Sequence, residues 1–472
     1  MTMPPRFAPD FLFGAATAAY QVEGAAFEDG RTASIWDAFA RIPGAVIDAD
    51  NGDVAVDQYH RYRDDVALMR ELGIQAYRFS SSWSRVRPDG GAPNPKGIDY
   101  YERLVDALLE AGIAPWLTLY HWDMPQALEE RGGWTSRDTV DRFVEYAATM
   151  HDALGDRVET WTTLNEPWCS SFLSYTAGAH APGRQSVEDG LLASHHLLLA
   201  HGTAARELRG RGAQRIGITL NLTNAIPVDP ADDGDADAAR RIDGQFNRWF
   251  LDPLLRGSHP RDVVDDIRAV DPSAVDAFEA AVEPGDLATI SSPIDFLGVN
   301  YYHGEYVSAT PDAVPVRGGE APTERPTRSP YPSHEGIHWR ERGLPRTGMG
   351  WEIEPAGLTS LLERVAREYT ALPLYVTENG AAFDDVVGPD GGIEDRERAQ
   401  YLRDHLAAVA AAIEAGVDVR GYFYWSLVDN FEWAWGYAKR FGIVHVDYET
   451  QRRTPKRSAR EYQRIIADRA VA

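Results

Sequence analysis

Cysteine is almost absent from this chain, since its 472 residues include only Cys169. An internal disulfide and a cysteine-based metal site are therefore excluded, and the expected location is a reducing compartment, the cytoplasm. Positive charge is also scarce, because 47 Lys and Arg stand against 72 Asp and Glu, which gives a net charge of −25. Phosphate binding requires clustered basic side chains, so we expect no nucleic-acid partner.

Long hydrophobic runs are missing as well. No stretch reaches the ~18 apolar residues that a membrane-spanning helix needs, so no membrane association is expected. The run 11–19 (FLFGAATAA) ends in small residues as a signal peptide would, but prolines and Asp10 precede it, so we do not expect secretion. No GxGxxG motif follows the first predicted strand, which argues against a dinucleotide-binding sheet.

Short apolar runs alternate with amphipathic segments along the whole chain. The runs predict strands at 11–24, 75–80, 114–122, 158–167, 215–222, 294–302, 374–380 and 420–429. Helical spacing predicts helices at 56–72, 98–111, 136–154, 186–208, 238–255, 355–369, 395–415 and 454–467. Eight such units favour a single parallel (β/α)8 TIM barrel over residues 1–472, with an open doubly wound sheet as the alternative.

One connection is too long to be a simple turn. The segment 308–350 is rich in proline and glycine, and loops of this length are usually lids, binding loops or disordered. We expect it to lie at the mouth of the active site, where barrel enzymes carry their functional loops.

Two glutamates each follow an apolar run, Glu166 in VETWTTLNEP and Glu378 in LYVTENG. A glutamate after a strand is more often solvated or a helix cap than catalytic. Only a closed or layered parallel sheet would bring these two together, because they lie 378 − 166 = 212 residues apart. Paired carboxylates cleave glycosidic bonds, and Arg78 on the second strand could keep one of them ionised. The high aromatic content, 11%, suits the apolar faces of sugar rings.

Several motifs together resemble family 1 of the glycoside hydrolases, the β-glucosidase family. They include TLNEP (163–167), YVTENG (375–380), FLFGAATAAYQVEG, YRFSSSW, LTLYHWDMP, GVNYY and YWSLVDNFEWAWGYAKRFGIVHVDY. The resemblance runs from Phe11 to Tyr462. It implies a (β/α)8 barrel that hydrolyses β-glycosides with retention, without metal or cofactor. The expected substrates are small β-glucosides or cello-oligosaccharides, from which a terminal glucosyl unit is released.

The resemblance also implies a role for each matching residue. Glu378 matches the nucleophile and Glu166 the acid/base, while Asn165 matches the residue that binds the sugar 2-hydroxyl. Supporting roles fall to Arg78, Asn300 and Tyr302. The glycone, the sugar that is released, is expected to contact Gln21, His121, Trp425, Glu432 and Trp433. The aglycone, the leaving group, is expected to contact Trp168, His180 and Trp351.

Alternatives to a β-glucosidase remain at this point. A 6-phospho-β-glucosidase is disfavoured because Glu432 would repel a sugar phosphate. A non-catalytic carbohydrate-binding barrel is disfavoured because Glu166 and Glu378 are both present. Preference for galactose or fucose stays open, as does a homo-oligomer. Cys169 is interpreted as a small packing residue, since no base is predicted beside it.

Overall fold

The chain forms a closed barrel of parallel strands surrounded by helices, in a computed structural model that describes residues 5–311 and 323–471. The eight barrel strands of the described residues are β1 Leu12–Ala16, β2 Ala76–Ser80, β3 Ala114–Tyr120, β4 Thr160–Asn165, β5 Arg215–Asn221, β6 Phe296–Asn300, β7 Leu374–Asn379 and β8 Val419–Trp425. Each strand pairs with the next, and β1 also pairs with β8. The predicted (β/α)8 barrel is confirmed.

All strand pairings in the barrel are parallel. The closing pair aligns Leu12 with Gly421 and Ala16 with Trp425, and β1 meets β2 from Gly14 to Ala16. Because every strand runs in the same direction, the carboxyl ends of all eight meet at one rim. The residues at the ends of the strands therefore share one face of the molecule.

Helices surround the barrel and extend its connections. The α-helices are Ala19–Val22, Ile35–Phe39, Gln58–Glu71, Trp83–Val86, Pro95–Glu110, Gln126–Glu129, Asp138–Leu154, Val187–Gly210, Asp233–Asp243, Trp249–Arg256, Arg261–Val270, Pro272–Ala281, Asp286–Ile290, Pro355–Glu368, Arg396–Glu414 and Arg457–Asp468. Single turns of 3-10 helix occur at Ile47–Ala49, Pro88–Gly90, Gly133–Thr135 and Trp433–Trp435, and π-helical turns at Cys169–Ala177 and Gly244–Arg248. No helix of the described residues is long and apolar enough to cross a membrane.

Several predicted boundaries differ from the observed ones, most of all at the end of the first strand. The first strand ends at Ala16, and Gln21 lies in the short helix Ala19–Val22 just beyond it. The reason is tertiary, because the Ala19 amide donates to the Ser80 hydroxyl on β2 at 2.7 Å and so begins the helical turn. The helix predicted at 136–154 begins at Asp138.

The interior of the barrel is filled by side chains. Near one end, the Trp116 ring makes edge contacts with Phe296, Tyr375 and Phe423 at centroid distances of 4.9, 4.9 and 5.0 Å. Higher up, Gly298 leaves no space, since a Cβ there would lie 2.4 Å from the Thr219 Oγ1 atom. The barrel is therefore a packed core, and the site can only lie at its rim.

The long segment after β6 is partly described. Glu305–Ser308 pairs in parallel with Ala225–Pro227 and antiparallel with His338–Trp339. The Arg325 guanidinium donates to the carbonyls of Gly178 and Gly183. Residues 312–322 of the predicted mouth loop lie outside the described residues. A second small sheet pairs Val444–Asp447 with Arg452–Pro455.

Candidate active site

The two glutamates lie at the carboxyl ends of β4 and β7, as expected. Glu378 is the penultimate residue of β7 and pairs with Asn300 after a register shift. Glu166 follows β4 directly and has a left-handed backbone, φ 49°, which a non-glycine residue rarely adopts. Its amide donates to the Thr219 carbonyl at 2.9 Å, which holds this strained turn in place.

Glu378 is held by two donors. Arg78 Nη1 donates to Glu378 Oε1 at 2.6 Å, and the Tyr302 hydroxyl donates to Oε2 at 2.8 Å. All of these groups except the partly exposed Tyr302 are buried. Charge-assisted hydrogen bonds of this kind favour the ionised carboxylate and fix its orientation.

Two asparagines connect Glu378 to Glu166. Arg78 Nη2 donates to Asn165 Oδ1 at 2.6 Å, and Asn300 Nδ2 donates to the same oxygen at 3.1 Å. Asn300 Nδ2 also donates to Glu166 Oε1 at 2.6 Å. The two carboxylates therefore belong to one hydrogen-bond network across the barrel rim.

Cys169 has a contact that the sequence interpretation missed. Its thiol donates to Glu166 Oε2 at 3.1 Å, so it contacts the acid/base candidate as well as filling space. The chain turns helically after Pro167, since the Ser170 amide donates to the Glu166 carbonyl at 3.2 Å. A spacing of three residues on a helical turn brings side chains together, and this signal could have predicted the contact.

The electrostatic surroundings distinguish the two glutamates. Burial raises the pKa of Glu166, and the nearby charge of Glu378 raises it further. Burial also raises the pKa of Glu378, but the charge and hydrogen bond of Arg78 act against it. The arrangement therefore favours an ionised Glu378 beside a protonated Glu166.

The predicted glycone residues cluster beside this network. The His121 ring lies 5.6 Å from that of Trp425 and 6.0 Å from that of Trp433. Asn165 Nδ2 lies 3.1 Å from His121 Nε2, and burial keeps the pKa of His121 well below its usual range. Neutral His121 therefore accepts from the amide at Nε2 and carries its proton on Nδ1.

Several polar atoms of this cluster are buried without a hydrogen-bond partner among the described residues. They are Gln21 Oε1, His121 Nδ1 and Glu432 Oε2. The Gln21 amide group is fixed in orientation, because its Nε2 atom donates to the Phe431 carbonyl at 2.7 Å. Burial, followed by the charges of Glu378 and Glu166, raises the pKa of Glu432 to about 8. Buried polar atoms are normally paired, so these three suit a ligand that carries hydroxyl groups.

The three predicted aglycone residues have different ring neighbours and do not form one cluster. Trp351 lies 5.4 Å from the Tyr302 ring, and Trp168 lies 4.4 Å from the Phe246 ring. His180 instead contacts Trp122 at 5.3 Å and Trp433 at 6.3 Å, so the structure places it beside the glycone cluster. Within the described residues, no ring contact joins His180 to Trp168 or Trp351.

The sequence model of glycosyl hydrolase family 1 matches residues 3–471 of this chain. The chain belongs to glycosyl hydrolase family 1. Among family 1 relatives, it is 47% identical to a bifunctional beta-D-glucosidase/beta-D-fucosidase of Bifidobacterium breve, over 98% of this chain and 99% of the relative. It is 49% identical to thermostable beta-glucosidase B of Thermobispora bispora, over 98% of this chain and 90% of the relative.

A solved structure supports the same assignment to family 1. The psychrophilic beta-glucosidase from Micrococcus antarcticus superposes with a TM-score of 0.95 at 56% sequence identity. The match covers 98% of each chain. Similarity at this level extends over the barrel and its long connections together.

Proposed function

We propose that this chain is a retaining, exo-acting β-glucosidase that releases terminal β-D-glucosyl units from small β-glucosides or cello-oligosaccharides. The observation that carries the proposal is the unequal surroundings of two buried glutamates in one network. Glu378 receives Arg78 and Tyr302 as donors, which suits a carboxylate nucleophile. Glu166 has a raised pKa, which suits a proton donor.

In the first step, Glu378 attacks the anomeric carbon while Glu166 gives its proton to the glycosidic oxygen, so the aglycone leaves as an alcohol. The sugar is then bound to Glu378 as an ester, and the negative charge of Glu378 is gone. Since that charge raised the pKa of Glu166, Glu166 now holds a proton less tightly. It takes a proton from water, which attacks the anomeric carbon and releases the sugar with its original configuration.

The glycone is proposed to be bound by the cluster beside this pair. Gln21 Oε1, His121 Nδ1 and Glu432 Oε2 are positioned to exchange hydrogen bonds with sugar hydroxyls, and Asn165 is proposed to bind the 2-hydroxyl. The Trp425 ring offers an apolar face for the sugar ring. Glu432 disfavours a 6-phosphorylated sugar, because the burial and the neighbouring carboxylate charges that raise the pKa of Glu432 would also oppose a buried phosphate.

The aglycone is proposed to leave past Trp168 and Trp351, which lie on the Glu166 and Glu378 sides respectively. His180 belongs with the glycone side in this proposal, because its ring contacts are with Trp122 and Trp433. The segment 308–350 is proposed to border the mouth. Its described residue Tyr331 supports this placement, since it lies 5.6 Å from Trp168.

We propose that the whole chain acts as one catalytic domain in the cytoplasm, with a small β-glycoside as its partner. The single cysteine supports a reducing compartment, since no internal disulfide can form. The proposed chemistry is complete with two carboxyl groups and water, so it requires no cofactor. Degradation of short cellulose fragments is the corresponding metabolic role.

Azide tests both catalytic roles. Glu378→Gly and Glu166→Ala are assayed on an aryl β-glucoside with and without azide. We expect the Glu378→Gly variant to form the α-glucosyl azide, because azide attacks the anomeric carbon directly in place of the missing carboxylate. We expect Glu166→Ala to form the β-azide, because azide then attacks the ester at Glu378 from the opposite face.

The control is Glu414→Ala, which removes an exposed carboxylate at the end of the helix Arg396–Glu414. It is expected to retain normal turnover and form no azide product. Without azide, Glu166→Ala should slow hydrolysis of unactivated glucosides by roughly 10²–10⁴-fold. Full activity of either active-site variant would show that the glutamates are misassigned. Comparison of glucoside, galactoside, fucoside and 6-phosphoglucoside substrates determines the glycone.

A further inference from the structure

A continuous chain of contacts leads from the Glu166 side of the site to the Glu378 side, around the aglycone mouth. The ring centroids of Trp168 and Tyr331 are separated by 5.6 Å, and those of Tyr331 and Trp339 also by 5.6 Å. On the opposite wall, Trp351 stacks on His303 at 5.0 Å. Glu305 joins the two walls, because it contacts both Trp339 and His303.

The Trp339 ring is fixed rather than free to rotate. Its Nε1 atom donates to Glu305 Oε2 at 2.7 Å, and its backbone pairs with Val307 in the small sheet. Trp339 is partly exposed, whereas its neighbour Tyr331 is buried. A fixed, partly exposed indole supplies an apolar face at little cost in conformational freedom.

Glu305 brings polar groups to the same place. Its Oε1 atom lies 3.9 Å from His303 Nδ1 and accepts no hydrogen bond among the described residues. The carboxylate side chain retains 15% exposure and that of His303 25%, so both reach solvent. An aromatic face beside partly exposed acceptors and donors is the combination that binds a sugar ring and its hydroxyls.

The position of Trp339 and Glu305 relative to the two glutamates decides which sugar unit they would contact. Trp339 contacts neither glutamate, and lies one ring contact beyond Tyr331 and two beyond Trp168. A sugar unit between Trp168 and Trp351 would be the first unit of the aglycone. The next unit of a β-glucan would continue outward toward Trp339 and Glu305.

We propose that Trp339 and Glu305 form a binding subsite for the second sugar unit of the aglycone. The inference rests on the proposed β-glucosidase function and adds chain length to it. Cellotriose and longer cello-oligosaccharides reach this subsite, whereas cellobiose and aryl glucosides end before it. The enzyme is therefore expected to prefer the trisaccharide to the disaccharide.

The test compares kcat/KM for cellotriose, cellobiose and an aryl β-glucoside in the native chain and in Trp339→Ala. We expect the cellotriose value to fall by about tenfold, since a lost aromatic contact near 1.4 kcal/mol corresponds to that factor. Cellobiose and the aryl glucoside should stay within about twofold, because they do not contact the distant site. The ratio of cellotriose to cellobiose does not depend on how much of a preparation is folded.

Two further variants complete the design. Glu305→Ala removes the carboxylate and is expected to lower the same ratio, even if Trp339→Ala does not fold. Tyr369→Ala removes a partly exposed aromatic ring at the end of the helix Pro355–Glu368, and should leave the ratio unchanged.

An unchanged ratio in Trp339→Ala or Glu305→Ala, with the aryl glucoside still cleaved, overturns the subsite and leaves the β-glucosidase proposal intact. An equal loss on all substrates also overturns it. A native chain that cleaves no glucoside refutes the proposed function itself.

Discussion

Single residues of the same type have different surroundings here, because their neighbours come from different strands. Glu166 and Glu378 are both buried glutamates at the ends of barrel strands, yet only Glu378 accepts from an arginine. Motif resemblance assigned the two roles from the sequence. The donors that distinguish them, however, come from β2 and from the residues after β6, and the thiol contact of Cys169 was missed.

The pKa of Glu166 should depend on the charge of Glu378. In Glu378→Gln the neutral amide no longer opposes ionisation, so the pKa of Glu166 is expected to fall relative to the native protein. The carboxyl signal of ¹³C-labelled glutamate, assigned by its loss in a Glu166→Gln variant, measures this by NMR titration. An unchanged or higher pKa would contradict the coupling, and Glu414→Gln serves as the surface control.

The same coupling sets the expected pH profile of the native enzyme. In the proposed mechanism, activity requires a protonated Glu166 and an ionised Glu378. kcat/KM should therefore fall at acid pH as Glu378 becomes protonated, and at alkaline pH as Glu166 loses its proton.

At the scale of elements, the barrel strands could be predicted better than the connections between them. Seven of the eight barrel strands lie inside their predicted ranges, and β8 begins one residue earlier than predicted. Strands that are buried on both faces appear in the sequence as short apolar runs, which makes them easy to recognise. The segment after β1 was predicted as strand, although Gln21 lies in a helix. Its helical turn depends on Ser80 of another strand, which local sequence does not reveal.

The connection after β8, residues 426–442, is held by buried charges rather than by regular structure. Asp429 accepts from Lys456 Nζ at 2.6 Å and from Arg440 Nη1 at 2.7 Å. Lys456 also donates to Asp385, and all three side chains of this lysine-centred group are fully buried. Asp429 lies three residues before Glu432, so the group positions the segment that carries part of the predicted glycone cluster.

Lys456→Met should destabilise the protein strongly. Removing the ammonium leaves two carboxylates buried without it, which typically costs about 3–5 kcal/mol of unfolding free energy. The matched control is Lys96→Met, because Lys96 makes an ion pair with Asp29 but is 71% exposed. Thermal unfolding should show a large fall in Tm for the first variant and little change for the second. Equal effects would contradict a structural role for the buried pair.

At the scale of the whole molecule, closure of the barrel depends on close packing between its first strand, β1, and its last strand, β8. Gly14 of β1 lies against Phe423 of β8, and a Cβ at this glycine would lie 2.3 Å from the Phe423 Cδ1 atom. It would also lie 2.9 Å from the Ala76 carbonyl of β2. Closure therefore requires a residue without a side chain at this position.

Gly14→Ala should destabilise the whole barrel by roughly 1–3 kcal/mol, as overpacking of a dense core does. Gly210→Ala is the control, because nothing lies within 4 Å of a Cβ there and the residue ends a helix. Chemical denaturation should show a lower midpoint only for the first variant. A Gly14→Ala protein as stable as the native one would show that the strands can move apart without cost.

The sequence by itself determined the barrel class, the order of its strands and the positions of the two candidate glutamates at strand ends, because apolar periodicity and strand-end motifs are local properties of the chain. Only the tertiary structure decided which side chains meet. Arg78, Asn165 and Asn300 come from three strands and join the glutamates only when the barrel closes. For the same reason, His180 lies beside Trp122 and Trp433, and Trp339 lies beside Glu305. Contacts between distant segments depend on closure and packing, which no single stretch of sequence encodes.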